Sequence, residues 1–252
     1  APAFNTADYL AAGLSLVPIT PGSKGPSGAD ALGWNTRERC VFVPEQITPT
    51  MGYGLAHAYS IAPTMAQDLD DMNAASALLA EADIDLEALL LATDAVGVSS
   101  GSPNHGKLLF RLPFGTMPSK TVRNDGKMVL KLRCSTAGGK TVQDCLPPTI
   151  HPGTLKPYKW VGHGDWRNIP MIPYELLAFW QGLIDQDGKR TIKVLGEIDA
   201  SWSEIQAALF AIDPDCSREI WVLVLMALHY AGNVTEQLDE ALHLANQWSM
   251  GG

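Results

Sequence analysis

Hydrophobic residues change their spacing partway along this chain, and that change limits what the chain can fold into. Up to about residue 160, short apolar runs typical of strands alternate with turns rich in Gly and Pro and with a few helical stretches. From Ser201 onward, the apolar residues recur at helical spacing. The pattern predicts an α+β body over residues 1–185, a polar linker over residues 186–196 and a small helical domain over residues 197–252.

Composition narrows the class of protein. The chain has 252 residues, of which 46% are hydrophobic, and this is enough to build a buried core. No apolar run approaches the roughly 20 residues that a membrane span needs, and no basic and then apolar leader begins at Ala1. We therefore expect a soluble, cytoplasmic protein without a membrane partner. The four cysteines form no CxxC pair, so they predict neither a zinc site nor a disulfide framework.

Charge is distributed unevenly along the chain. The net charge is −9, yet residues 105–160 contain ten lysines and arginines against two aspartates, a net charge of +8 that leaves −17 for the remainder. Positive charge concentrated in one region of an acidic chain indicates a local anionic partner such as nucleic acid. The alternative is a solvated face of strands whose lysines discourage pairing with other chains.

Local patterns predict the elements that carry the polar motifs. We expect a short helix with a possible cap at Thr6, and a helix after Asp71 with apolar residues at helical spacing. Strands are predicted at residues 96–100 and 108–112, and a hairpin around Gly138-Gly139 pairs residues 128–133 with 140–146. In the tail, three stripes at helical spacing are predicted to be core. They are Ile205, Leu209 and Ile212; Ile220, Val224 and Leu228; and Leu238, Leu242 and Ala245 with Trp248.

The motif Asp68-Leu69-Asp70 stands where a strand is predicted to end. Strand residues i and i+2 lie on the same face, so the two carboxylates point together. Close carboxylates repel unless a cation lies between them, and Mg²⁺ or Mn²⁺ takes oxygen ligands of this kind while also binding substrate phosphates. The alternative is that such acids only cap the following helix.

Two further segments have the composition of a nucleotide site. Small residues at 99–102 precede Lys107, which could meet a triphosphate, although an ordinary hairpin turn would look the same. The run Pro147-Pro148-Thr149-Ile150-His151, with Tyr158 and Trp160 after it, offers a hydroxyl, an imidazole and aromatic surfaces. A rigid proline turn that packs the aromatic residues into the body is an equally good interpretation.

Taken together and in order, these motifs resemble the bifunctional primase-polymerase (Prim-Pol) family of the archaeo-eukaryotic primase superfamily. The resemblance begins at the strand and loop over residues 17–26, passes through residues 52–57 and the Asp68-Leu69-Asp70 motif, and ends at the proline pair and Tyr158-Lys159-Trp160. It covers roughly residues 8–180. The helical tail resembles the small domain that follows Prim-Pol domains in phage and plasmid primases.

The resemblance implies a fold, a chemistry and partners. The fold is α+β: an RRM-like palm with a mixed or antiparallel sheet flanked by helices, followed by a small all-α domain. Asp68 and Asp70 would be the catalytic residues and the ligands of Mg²⁺ or Mn²⁺. The nucleotide-binding residues would be Ser100, Lys107, Arg133, His151 and Lys24. The partners would be a single-stranded DNA template, ribo- or deoxyribonucleoside triphosphates, and a helicase domain further along a longer protein.

Two residues depart from the family pattern. Many relatives have a phosphate-binding histidine where this chain has Lys107, which keeps the positive charge. Lys131 stands where the resemblance implies a third metal-binding acid, and a lysine cannot ligate Mg²⁺. Asp71 or Asp144 would then have to supply the missing carboxylate.

The function expected from the sequence is metal-dependent nucleotidyl transfer on a template, as a DNA primase or DNA polymerase of a phage, prophage or plasmid. The alternative is a Prim-Pol-like DNA-binding module, catalytically weakened at Lys131, that serves a downstream helicase. A metal-dependent nuclease or phosphodiesterase would use the same pair of acids.

Overall fold

A computed structural model describes residues 5–46, 51–186, 200–235 and 237–251 of the chain. The chain divides into two compact units, residues 1–187 and residues 188–252. Apart from Gln186, the predicted polar linker lies outside the described residues. Within the described ranges, no helix combines the length and the hydrophobicity needed to cross a bilayer.

The strands described in the first unit form two antiparallel sheets. They are β1 (Leu16–Ile19), β2 (Gly52–Ala56), β3 (Thr64–Leu69), β4 (Gly97–Ser99), β5 (Gly106–Arg111), β6 (Lys120–Asn124), β7 (Lys127–Arg133), β8 (Gln143–Leu146) and β9 (Lys159–Val161). The larger sheet has the order β6-β7-β3-β5-β4-β9, and the smaller sheet has the order β1-β2-β8. Every pairing between these strands is antiparallel.

The described helices are distributed between the two units. Those of the first unit are α1 (Thr6–Ala11), α2 (Met72–Ala80), α3 (Leu86–Leu91) and α4 (Tyr174–Gln186). Those of the second unit are α5 (Trp202–Phe210), α6 (Arg218–Val234) and α7 (Leu238–Ser249). The first unit is therefore α+β, as the sequence predicts, and the described elements of the second unit are helices.

The larger sheet is covered on both faces. On one face, leucines such as Leu130 pack with α2, α3 and α4, whose Trp180 is fully buried. On the other face, Ala66 and Leu109 pack against Leu55 of the smaller sheet. Burying each large apolar side chain contributes about 1.5–3 kcal/mol. The central strands are therefore held rigidly between two layers, and polar groups at their ends are held with them.

The cap of the first helix differs from the prediction by one residue. Asn5, not Thr6, caps α1: its side chain accepts a hydrogen bond from the Asp8 backbone N–H, while Asp8 accepts one from the Asn5 N–H. This reciprocal arrangement satisfies two backbone donors at once. Thr6 is the first helical residue and is buried.

The turn predicted around Gly138-Gly139 is present and carries an antiparallel bridge between Ser135 and Thr141, but the predicted pairing of residues 128–133 with 140–146 as hairpin strands is wrong. After β7, the chain makes a tight turn at residues 136–140 and then leaves the larger sheet, because β8 pairs with β2 in the smaller sheet. The true partner of β7 within a hairpin is β6, joined through Asp125 and Gly126, both with positive φ. Such a two-residue turn matches the twist of a hairpin. Strand β8 therefore belongs to the smaller sheet.

The second unit has its own buried core. Leu209, Val224, Leu228 and Leu244 pack around Trp248, whose indole N–H donates to the Ile212 carbonyl at 2.8 Å. The predicted stripes are correct for Leu209, Val224, Leu228 and Trp248. They are wrong for four residues that are exposed, namely Ile212, Ile220, Leu238 and Leu242. In α7, Ala241 and Leu244 are buried in place of Leu238 and Leu242.

Glycine at position 97 lets β4 approach β5 closely. A Cβ there would lie 2.5 Å from the Lys107 carbonyl oxygen and 3.1 Å from Val161 Cγ2. We expect Gly97→Ala to lower the free energy of unfolding by about 1–3 kcal/mol in urea titrations. Gly182→Ala is the matched control: it lies within α4 with no atom within 4 Å of the new Cβ, and it should raise stability by up to about 1 kcal/mol. Equal midpoints for both variants would contradict the close approach.

Candidate active site

Strand register places three charged residues in one row across the larger sheet. Asp68 on β3 lies directly opposite Lys107 on β5 and opposite Lys131 on β7. Residues opposite each other on antiparallel neighbours share a face and interact. Alternation along β3 puts Asp68 on the same face as Ala66, which packs towards the smaller sheet. The row therefore lies on the side of the larger sheet that the smaller sheet covers.

Lys131 lies within ion-pair distance of both predicted catalytic aspartates. Its Nζ is 2.8 Å from Asp70 Oδ2 and 3.8 Å from Asp68 Oδ2. Asp70 directly follows β3, and its backbone N–H donates to Val129 of β7, which keeps it beside Lys131. Asp70 Oδ2 is buried and makes no hydrogen bond within the described residues, so the ammonium meets it only as an ion pair. A lysine ammonium thus stands where the sequence predicts a divalent cation.

Asp144 lies at the centre of a buried charged cluster. Its Oδ1 accepts from Lys107 Nζ, and its Oδ2 accepts from Arg133 Nε at 2.9 Å and lies 2.9 Å from His57 Nε2. His57 Nδ1 lies 2.9 Å from the Thr64 hydroxyl. Lys107 Nζ is also 3.5 Å from Asp68 Oδ1. The buried cluster is therefore linked, through Lys107, to the row on the sheet.

The pKa values in the cluster move in different directions. Burial alone would raise the pKa of the Asp144 carboxyl, but Lys107, Arg133 and His57 together hold it well below its ordinary value. Burial lowers the pKa of His57 in spite of its contact with Asp144. Burial also acts to lower the pKa of Lys107, yet the attraction of Asp144 and Asp68 outweighs it and the pKa is raised. At neutral pH, Asp144 is therefore ionised, Lys107 is charged and His57 is neutral.

Asp68 and Asp70 fit one divalent ion. Asp68 lies in β3 and Asp70 directly follows it, and both carboxylates already face one cation, the Lys131 ammonium. Asp70 Oδ2 makes no hydrogen bond within the described residues. Mg²⁺ and Mn²⁺ are commonly held by one or two carboxylates, with phosphate and water oxygens completing the shell. Within the described residues, however, no group of three His, Cys, Asp or Glu side chains could hold a metal ion.

Neither suggested replacement supplies the third carboxylate. Asp71 caps α2: its Oδ1 accepts from the Ala74 backbone N–H and from Asn104 Nδ2, each at 3.1 Å. Asp144 has both oxygens engaged by cations and by His57. Within the described residues, therefore, neither acid joins Asp68 and Asp70 in a group of three side chains that could hold a metal ion.

The other predicted nucleotide-binding residues form a second group. Thr154 joins two of them, since its backbone N–H donates to His151 Nδ1 at 3.0 Å and its hydroxyl donates to the Ser100 carbonyl at 3.1 Å. Burial lowers the pKa of His151, and the charge of Lys24 acts in the same direction. The Lys24 carbonyl accepts from Gln143 Nε2 at 2.6 Å. Thr154 therefore ties the loops of Ser100 and His151 to each other, and Gln143 ties the loop of Lys24 to β8.

Of the predicted residues, the structure joins Asp68, Asp70, Lys107 and Arg133 through ion pairs that share Lys131 and Asp144. Lys24, Ser100 and His151 make no described hydrogen bond or ion pair with those four. The hydroxyl of Thr149 is not free for a ligand, because it accepts from the Tyr53 N–H and donates to the Tyr53 carbonyl.

The sequence does not predict that Asp144, backed by His57, is the buried partner of Lys107 and Arg133. From the sequence, His57 is only one residue of a family motif, and Asp144 is only a substitute metal ligand. One signal was available: Asp144 is a lone acid in an otherwise apolar strand end, and a buried charge needs a partner. No local pattern says which cations that partner would be.

Comparison with known proteins agrees with this architecture. The family described as bifunctional DNA primase/polymerase, N-terminal, matches residues 6–175, which contain both sheets and every residue of the site described above. A search of curated proteins finds no match. The match spans more than half of the chain, and the chain accordingly belongs to the Prim-Pol family of bifunctional DNA primase/polymerase N-terminal domains.

Proposed function

We propose that this chain joins nucleotides on a single-stranded DNA template, as a DNA primase or DNA polymerase in phage, prophage or plasmid replication. The observation that carries the proposal is the row across β5, β3 and β7, in which Asp68, with Asp70 just beyond the strand end, stands beside cations that suit phosphate. Ribo- or deoxyribonucleoside triphosphates are the second substrate. In a longer replication protein, a helicase domain would be the natural neighbour of such an activity.

Lys107 and Arg133 would bind the triphosphate. Lys107 has three N–H donors, and Asp144 and Asp68 engage only part of them. Arg133 uses Nε on Asp144 and Nη2 on the Gln143 carbonyl, and its side chain is 27% exposed, which leaves donors for an anion. Hydrogen bonds between such cations and phosphate oxygens are among the strongest in proteins.

Asp68 and Asp70 would hold one Mg²⁺ or Mn²⁺ ion. In the reaction, a 3′-hydroxyl loses its proton and bonds to the α-phosphorus, while the bond from that phosphorus to the β-phosphate oxygen breaks and pyrophosphate leaves; an ion held by these carboxylates would supply neutralisation of the phosphate charge. For the carboxylates to hold that ion, Lys131 has to withdraw its ammonium. Its side chain is 19% exposed and flexible, so rotation towards solvent is open to it. With Lys131 displaced, Lys107 remains to orient the triphosphate beside Asp68.

One observation favours a second function. The ion pairs of Lys131 with both aspartates neutralise the site without metal, which suits a module that binds DNA and nucleotides but polymerises poorly. Such a module would still bind DNA through exposed cations of the basic region, for example Arg123 and Lys127 on the β6–β7 hairpin.

An extension assay on a single-stranded template tests the proposal. It uses Mg²⁺ or Mn²⁺, ribo- or deoxyribonucleoside triphosphates, and a template with or without a labelled primer. We expect elongated product with a primer, and product without one would add primase activity. If DNA binds in a salt-dependent manner but no condition yields product, the second function replaces the first.

A further inference from the structure

We propose that Asp144 is a positioning residue that holds Lys107 and Arg133 together as one preformed phosphate-binding pair. This deepens the proposed function, because it assigns the organisation of the triphosphate site to a residue outside the metal-binding row. Asp144 would hold the two cations in place before any nucleotide or metal binds.

Asp144 contacts both cations from a single carboxylate. One oxygen accepts from Lys107 Nζ and the other from Arg133 Nε at 2.9 Å. The Asp144 side chain is only 7% exposed, whereas Arg133 is 27% exposed. The acid is therefore the buried anchor, and Lys107, which also lies 3.5 Å from Asp68, links it to the row on the larger sheet.

The carboxylate is itself fixed from behind. His57, which is fully buried, lies with Nε2 at 2.9 Å from Asp144 Oδ2 and with Nδ1 at 2.9 Å from the Thr64 hydroxyl. Because an ionised carboxylate can only accept, Nε2 carries the proton and donates to Asp144, while the Thr64 hydroxyl donates to Nδ1. This chain of contacts runs from Thr64 in β3, through His57 in the turn that follows β2, to Asp144 in β8. The Asp144 carboxylate is therefore held against rotation.

Charge explains why this arrangement suits phosphate. Two cations brought together in a buried site without an anion would be costly, and one carboxylate offsets part of that cost. The cluster of Lys107, Arg133 and Asp144 retains one net positive charge, because His57 is neutral. Donors held in place before binding also lose less conformational entropy when the anion arrives. A polyphosphate is the ligand that uses two neighbouring, fixed cations best.

Calorimetric titration without metal tests this inference. Inorganic tripolyphosphate, and separately dATP, are titrated in EDTA into the full chain, into Asp144→Asn and into Asp165→Asn. The last is a matched control, because Asp165 is exposed, contacts only local groups, and asparagine can replace it as a cap. We expect at least a tenfold rise in the dissociation constant for Asp144→Asn and less than a twofold change for Asp165→Asn.

A purely structural role predicts a different result. Asp144→Asn would then be less stable in urea but would bind tripolyphosphate as the unmodified chain does, and that result would overturn the proposal. If Asp144→Asn does not fold, Asp144→Glu takes its place: it keeps the charge but shifts both cations by one methylene, and it should also bind at least tenfold more weakly. Unchanged affinity in that variant, or no binding by the unmodified chain, likewise overturns it.

Kinetics separate this inference from the proposed function. Where the chain extends a primer, Asp144→Asn should raise KM for the nucleotide more than it lowers kcat, because the chemistry at Asp68 and Asp70 is left in place. Where no extension occurs but tripolyphosphate binds and the variant loses that binding, nucleotide joining fails while the positioning role of Asp144 stands.

Discussion

Replacing both Asp68 and Asp70 by alanine is expected to reduce nucleotide incorporation by about a thousandfold or more, because both carboxylates that pair with Lys131 are then lost. The fold should survive, since both side chains are partly exposed, at 24% and 20%, and the buried cluster around Asp144 does not depend on them for its short contacts. Incorporation is measured by primer extension, and folding by circular dichroism and urea titration.

Asp71→Asn is the matched control for this double variant. Asp71 is the next acid along the chain, but it caps α2, and asparagine caps a helix equally well. We expect incorporation within about twofold of the unmodified chain and nearly the same stability. Full activity in Asp68→Ala/Asp70→Ala would refute the assignment of the active site, and a large loss in Asp71→Asn would show that Asp71 belongs to it.

The second large effect is expected at Lys131. Lys131→Glu replaces the ammonium beside Asp68 and Asp70 by a third carboxylate, so the affinity of the chain for Mn²⁺ should rise by about ten- to a hundredfold. Electron paramagnetic resonance of free Mn²⁺ measures this directly and without reference to activity. If the chain is a weakened polymerase, nucleotide incorporation should rise as well.

Two controls separate site chemistry from overall charge. Lys127→Glu makes the same change of charge at an exposed position of the same strand, and it should leave the affinity for Mn²⁺ unchanged. Lys131→Gln removes the ammonium and adds only a neutral amide oxygen, so it should give an intermediate affinity. Tighter Mn²⁺ binding without any gain in incorporation would favour the DNA-binding module. Mn²⁺ affinity unchanged in Lys131→Glu would mean that Asp68 and Asp70 are not a metal site.

Much of the fold follows from local rules that can be read along the chain. Strand alternation is such a rule: it predicts that the carboxylates of Asp68 and Asp70 point together, and both lie within 4 Å of Lys131 Nζ, although β3 itself ends at Leu69. The cap predicted at Thr6 is wrong, because Asn5, one residue earlier, caps α1. The helical stripe of α7 was misassigned because several registers of apolar residues fit a short helix, and only packing around Trp248 selects among them.

The sequence by itself determined the α+β class of the first unit, the acidic strand end, the basic character of residues 105–160 and the resemblance of residues 8–180 to the Prim-Pol family, which the match over residues 6–175 confirms. Each of these depends on neighbours within a few residues or on ordered motifs. Only the tertiary structure decided that Lys131 faces both aspartates and that β8 leaves the larger sheet to bring Asp144 against Lys107 and Arg133. The physical reason is that strand register and sheet membership depend on long-range packing and pairing, which distant parts of the chain settle together.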